Sequence, residues 1–134
     1  MECFLDTNIF LRFFVAEPKI QHEQCRQLFA KISEGKLTAV TCQLAIFEVI
    51  WTLQSYYDLP KQDIIDKVFD VIVSPNILVD GKDLLLSSLL IWQIRNIKFN
   101  DIFMYNYLKT KGLQKIYSYD KDFNKFADIS RLEP

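Results

Sequence analysis

The chain opens on a short apolar run, Cys3-Phe4-Leu5, that stops at Asp6-Thr7-Asn8 and passes straight into a helical pattern. Such a run predicts a β-strand feeding a helix, with Asp6 at the strand end. The helix is expected over residues 8–15, with Thr7 or Asn8 as its cap. It should stop before Pro18, because the residue ahead of a proline is pushed out of the α region. In a second helix, over 20–33, Cys25, Leu28, Phe29 and Ile32 recur at helical spacing, and Gly35 fits its C-terminal cap. Residues 37–41 read as a second strand. An apolar helix over 44–57 follows, expected to bury Leu44, Phe47, Ile50, Trp51 and Leu53. Pro60 suits the first turn of a helix over 61–73. Residues 77–79 read as a strand, and a helix opening at Asp80 or at Lys82-Asp83 should run to about residue 96. Another helix starts at Phe99-Asn100-Asp101 and ends at Lys111-Gly112.

Near the C-terminus the opening pattern returns. Ile116-Tyr117-Ser118-Tyr119 is strand-like and ends at Asp120-Lys121-Asp122-Phe123. A short helix over 123–126 and an edge strand over 129–132 complete the reading. Strands alternating with helices predict an α/β fold, a single domain over 1–134, with a short parallel sheet flanked by helices on both faces. Its four main strands are expected near 2–5, 38–41, 77–79 and 115–118. Ligands of such sheets bind outside the carboxyl ends of the strands, and here two strands end on acids.

Length and charge narrow the picture. The 134 residues suffice for one core and are too few for two typical domains. Sixteen Lys and Arg against seventeen Asp and Glu give a net charge of −1, which excludes binding nucleic acid through bulk positive charge alone. Bound metal can still supply positive charge at one site. The one histidine, His22, and three cysteines without C-x-x-C spacing do not make a zinc site. His22 is expected to be solvated on its helix. The start of the chain lacks the basic segment of a signal peptide. The longest apolar stretch, 84–92, is broken by Ser87-Ser88 and falls short of the ~20 residues of a membrane span. The expectation is a cytoplasmic protein that does not enter the membrane.

Five acids then ask for an explanation: Asp6, Glu48 inside an apolar helix, Asp101 at a helix start, and Asp120 with Asp122. Each has an ordinary structural role open to it. Asp6 suits a cap, Asp101 a helix N-terminus, Asp120 and Asp122 a turn, and Glu48 a solvated helix margin. Together they suggest one acidic pocket with Asp122 at its rim. Clustered carboxylates raise one another's pKa, and a hard divalent cation relieves that conflict. An all-oxygen set without His or Cys suits Mg²⁺ or Mn²⁺. Asp120-x-Asp122-x-Asn124 imitates the start of a calcium loop, but Lys125 and Arg131 fall where that loop needs Gly and Glu. An aspartyl phosphatase would need an acid where Asn8 stands.

Leu5-Asp6-Thr7-Asn8, a Glu in the third helix, an Asp opening a late helix, and Ser118-x-Asp120-x-Asp122-Phe123 resemble a PIN domain. The small form is similar to the VapC-type toxins of prokaryotic toxin–antitoxin pairs, and the likeness runs over essentially the whole chain. The resemblance implies a Mg²⁺- or Mn²⁺-dependent endoribonuclease that hydrolyses RNA. Asp6, Glu48, Asp101 and Asp120 would be its acidic quartet. Asp6, Asp101, Asp120 and Asp122 would be metal ligands, and Asn8 and Ser118 polar support. It also implies a homodimer and an antitoxin protein partner. A PIN-like module that binds RNA or protein without cutting is the alternative. Arg12, Lys98, Lys121 and Lys125 lie near these motifs and are candidates to hold flanking phosphates. The chain departs from the family at Ile102, where a small residue is usual, and at the bulky Phe103-Met104-Tyr105-Asn106-Tyr107.

Overall fold

The apolar opening forms the first strand, β1 (Glu2–Phe4), in a computed structural model that describes residues 1–134. The chain divides into two compact units, Met1–Lys82 and Asp83–Pro134. In the first, β1 is followed by α1 (Thr7–Phe14), α2 (Lys19–Ser33), β2 (Thr38–Thr41), α3 (Gln43–Ser55), α4 (Lys61–Ile72) and β3 (Ile77–Val79). The strands pair in parallel in the order β1-β2-β3, with Cys3 opposite Ala39 and Ala39 opposite Ile77. Helical crossovers are what parallel pairing requires. The ladder extends one residue past β1, where the Leu5 N–H donates to the Val40 carbonyl at 2.8 Å. The buried Thr41 hydroxyl donates to the Leu5 carbonyl at 2.9 Å, so the two strand ends are tied where the chain turns out to Asp6.

The core of this unit joins α1 and α2 through Phe10, Phe13 and Phe29, with Phe13 stacked on Phe29 at 4.1 Å. It continues through Ile46, Val49 and Leu53 of α3 to Ile64, Val68 and Ile72 of α4, all buried. The face of α3 differs from the expectation. Leu44 and Trp51 are about two-thirds exposed and Phe47 is half-buried, while Ala45, Ile46, Val49, Ile50 and Leu53 face inward. These five follow the i, i+3, i+4 stripe of a helix packed on one side. Residue size did not reveal which stripe that was. His22 also differs: it is half-buried, with Nδ1 2.8 Å from the Arg12 carbonyl in the last turn of α1. A carbonyl only accepts, so Nδ1 carries the proton and satisfies an orphan acceptor.

The second unit begins one residue into α5 (Lys82–Ile94), which leads to α6 (Phe99–Thr110), β4 (Lys115–Tyr117), a 3-10 helix (Lys121–Lys125) and β5 (Ser130–Leu132). Trp92 of α5 packs on Phe99 of α6 at 5.4 Å. The Asn106 amide donates to Ser88 Oγ at 3.0 Å, which accounts for a polar side chain buried in α5. At the end of α6, Gly112 has φ +69°, and the Leu113 N–H returns to the Leu108 carbonyl at 3.0 Å. That left-handed turn is what a glycine supplies without strain. The segment expected to be the fourth strand of the main sheet pairs instead with β5, in parallel, Lys115 opposite Ser130. The 3-10 helix and its flanking loops provide the crossover that a parallel pair needs. No helix is long and apolar enough to cross a membrane.

Candidate metal centre

Asp101 is the third residue of α6. An acid there is favoured by the helix N-terminus, but first-turn acids are usually solvated and this one is only 8% exposed. One of its carboxylate oxygens, Oδ2, is buried without a hydrogen-bond partner. A buried polar atom left without a partner carries a desolvation cost, so it calls for an explanation such as an ion or a water.

The explanation lies in what surrounds it. After β4 the Asp120 N–H donates to Ser118 Oγ at 3.0 Å, and the Asp122 N–H donates to Asp120 Oδ1 at 2.9 Å. These local bonds, typical of short polar side chains in turns, cap the 3-10 helix and hold both acids in place. Arg131 of β5 secures the same turn by donating to the Ser118 carbonyl at 2.8 Å. One ligand oxygen from each of Asp101, Asp120 and Asp122 then lies within 4.8 Å of the other two.

The two closest acids are pushed apart in proton affinity. Burial raises the Asp101 carboxyl from 3.8 to about 6; the neighbouring Asp120 and Asp122 add to the rise, and Lys98 opposes it. Asp120 moves the other way. The bond from the Asp122 N–H holds it below the ordinary range, helped by the hydrogen bond with Asp101 and by Lys98 and Lys125. Hydrogen bonds to a carboxylate favour its charged form, whereas burial disfavours it. The donor set is oxygen only, with one buried oxygen unpaired, and it fits a hard divalent cation. Asp101, Asp120 and Asp122 are the residues to hold one.

In the first unit the other expected acids lie on either side of Thr7. Asp6, rather than Thr7 or Asn8, caps α1: its Oδ1 accepts from the Thr7 N–H at 2.7 Å. The Thr7 hydroxyl donates to Glu48 Oε2, also at 2.7 Å, across forty-one residues of sequence. Both acids are exposed, and so is Asn8. The link from Thr7 to Glu48 escaped the sequence reading, since nothing local pairs a strand-end threonine with a mid-helix acid. Of the basic residues, Arg12 donates to Gln21 at 2.8 Å, and Lys125 pairs with Asp122 at 3.2 Å and donates to the Asn96 carbonyl at 3.1 Å. Lys98 and Lys121 are exposed.

A model of the PIN domain family matches residues 3–129 of the chain. Among solved structures, the chain is similar to Mycobacterium tuberculosis VapC20, described as a toxin that cleaves the sarcin–ricin loop. The identity is 18% with all of both chains covered, at a TM-score of 0.45. No curated protein sequence matches.

Proposed function

The chain belongs to the PIN domain family, and from that premise we propose that it is a metal-dependent endoribonuclease hydrolysing RNA phosphodiester bonds. The observation that supports this most is the buried, unpartnered Asp101 oxygen beside two further carboxylates. Caps and turns explain Asp120 and Asp122 locally, but no local role explains a carboxylate buried against its own kind.

Asp101, Asp120 and Asp122 hold Mg²⁺ or Mn²⁺ in this reading, with Asp6 and Glu48 as the remaining acids of the same reaction. When bound, the cation lowers the pKa of a water and stabilises charge on the phosphate oxygens. Asp101 must first release the proton that burial favours. The Asp122 N–H keeps Asp120 ionised, and Ser118 Oγ, which accepts from the Asp120 N–H, fixes the turn that directs it. Thr7 orients Glu48 through its hydroxyl, and Asn8 supplies polar support near Asp6. Hydrolysis adds water across one P–O bond, the leaving oxygen taking up a proton.

The resemblance of the terminal motifs to VapC-type toxins extends the proposal to a cytoplasmic toxin that forms a homodimer and is held by an antitoxin protein. A small antitoxin-like reading frame beside this gene would support that context. The nuclease itself is tested by incubating the purified protein with a mixed RNA pool in Mn²⁺, in Mg²⁺ and in EDTA. Cleavage that needs metal and disappears in Asp120→Asn is expected. RNA that stays intact in both metals, while being bound, would replace the enzyme with a non-cleaving RNA-binding module.

A further inference from the structure

The bulky segment 103–107 is where the sequence departs from the family it resembles, and the structure gives one of its residues a clear set of contacts. Tyr105 lies four residues after Asp101 on α6, so the two share a side of the helix. Its ring stacks on Phe126 at 3.9 Å and 8°, nearly face to face. Its hydroxyl donates to both oxygens of Asp128, at 2.7 and 2.8 Å, and Asp128 is paired in turn with Lys109 of α6 at 2.7 Å. Phe126 closes the 3-10 helix whose N-terminal cap is Asp120. It is buried, and Arg95 lies over its ring at 5.3 Å while donating to the Lys125 carbonyl at 2.5 Å.

The consequence is geometric. Asp101 rides on α6, whereas Asp120 and Asp122 ride on the turn that opens the 3-10 helix. The Tyr105 contacts bind that helix and the residues just after it to α6, one turn beyond Asp101. Burial raises the Tyr105 hydroxyl to about 12, so it stays a neutral donor to Asp128 at ordinary pH. We propose that Tyr105 is a positioning residue that sets the spacing of Asp101 against Asp120 and Asp122. The stack on Phe126 is its main arm and the bond to Asp128 its second.

The inference rests on the reading of these three acids as a metal site, and the test separates the two. Mn²⁺ affinity is read from the electron paramagnetic resonance of free Mn²⁺, and the melting temperature is read in EDTA. The proteins are the wild type, Tyr105→Phe, Tyr105→Leu, Asp128→Asn and Asp120→Asn. Supports around metal ligands typically change affinity by about 10–100-fold when removed. Tyr105→Leu loses both arms and should weaken Mn²⁺ binding about tenfold or more. Tyr105→Phe keeps the stack and should recover most of that affinity, staying within about threefold of wild type, as should Asp128→Asn. A merely structural tyrosine would lower the metal-free melting temperature in Tyr105→Leu and leave Mn²⁺ affinity within about twofold of wild type. That result overturns the inference. Should Tyr105→Leu not fold, Phe126→Leu, which removes the stack and leaves the Tyr105 hydroxyl in place, decides: affinity within about twofold of wild type overturns it, and a loss of about tenfold upholds it. If Asp120→Asn binds Mn²⁺ as tightly as wild type, the metal-site reading fails, and the inference fails with it.

Discussion

Replacing Asp101 by Asn tests the centre at its most perturbed group. In the metal-free protein Asp101 holds its proton up to about pH 6, against an ordinary 3.8. A group whose folded pKa is raised binds more protons folded than unfolded between those two values, so stability falls as pH rises through that window. Below pH 4 the carboxyl is mostly neutral in the folded protein and costs little. Above about pH 6.5 it is charged in both states, and the full cost of burying it is present. At about 1.4 kcal/mol per pH unit the ceiling is about 3 kcal/mol. Residual solvent contact and salt screening reduce this to about 1–2 kcal/mol.

Asn keeps the shape, carries no charge, and can turn an N–H toward the Asp120 carboxylate. In EDTA, Asp101→Asn should therefore be more stable than wild type by about 1–2 kcal/mol at pH 7.5. The gap should shrink to within about 0.5 kcal/mol at pH 4.5. Urea unfolding of both proteins across pH 4.5–7.5 measures it; staying above pH 4 avoids the range in which Asp120, with its lowered pKa, takes up its own proton. With saturating Mn²⁺ the order should invert, because only the wild type gains stabilisation by mass action. A constant difference between the two proteins over this pH range would show that Asp101 does not carry a buried charge, and the account of the centre would fall.

Other outcomes follow from the same contacts. Because Asp101 must deprotonate to bind metal, Mn²⁺ affinity should rise between pH 5 and 7 and level off above, with proton release detectable by calorimetry in buffers of different ionisation enthalpy; a flat profile would contradict this. Thr7→Val removes the 2.7 Å bond to Glu48 and should cost about 0.5–1 kcal/mol or less in urea unfolding. It should lower kcat for RNA cleavage more than KM, and unchanged cleavage would detach Glu48 from the reaction. Asp6→Asn should change metal-free stability by less than about 0.5 kcal/mol, since Asn caps a helix about as well as Asp, yet abolish cleavage. Retained cleavage with the same Mn²⁺-induced rise in melting temperature would leave Asp6 a cap and nothing more.

What the sequence made legible was mostly what short-range chemistry decides. The strand at 77–79 and the stop of α6 at Gly112 stand where their signals put them, because a turn or a positive φ is settled within a few residues. The same holds for the turn at Asp120 and Asp122, which is built from bonds two residues apart. Facts that depend on distant partners were not legible. Leu44 and Trp51 lie on an apolar helix, but its inward stripe is chosen by α1 and α4, which share its core. The strand at 115–117 matched the pattern of the other three and pairs with 130–132 instead. Thr7 finds Glu48, and Tyr105 finds Asp128 twenty-three residues on, without any spacing rule that would announce either.

The direction of the Asp101 shift also shows how a metal-free chain tolerates the cluster. A helix N-terminus favours a carboxylate by about 0.3–1 kcal/mol, and Lys98 acts in the same sense. Were those influences dominant, Asp101 and Asp120 would both stay charged and repel each other well below pH 6. Burial outweighs them, so the proton stays on Asp101 until about pH 6 while Asp120, bonded by a backbone N–H, stays ionised. Separated affinities localise the proton on Asp101 and leave the Asp120 carboxylate charged. Just below pH 6 that proton is held weakly, so an arriving cation displaces it at small cost, and above about pH 6.5 the proton is already gone. Moving Asp101 outward would keep it permanently charged and remove the pH dependence of binding. Burying Asp120 as well would raise both groups and make the site poor at binding metal at neutral pH. One buried acid beside one bonded acid avoids both outcomes, so the Asp122 N–H that holds Asp120 ionised matters to metal binding alongside the ligand oxygens.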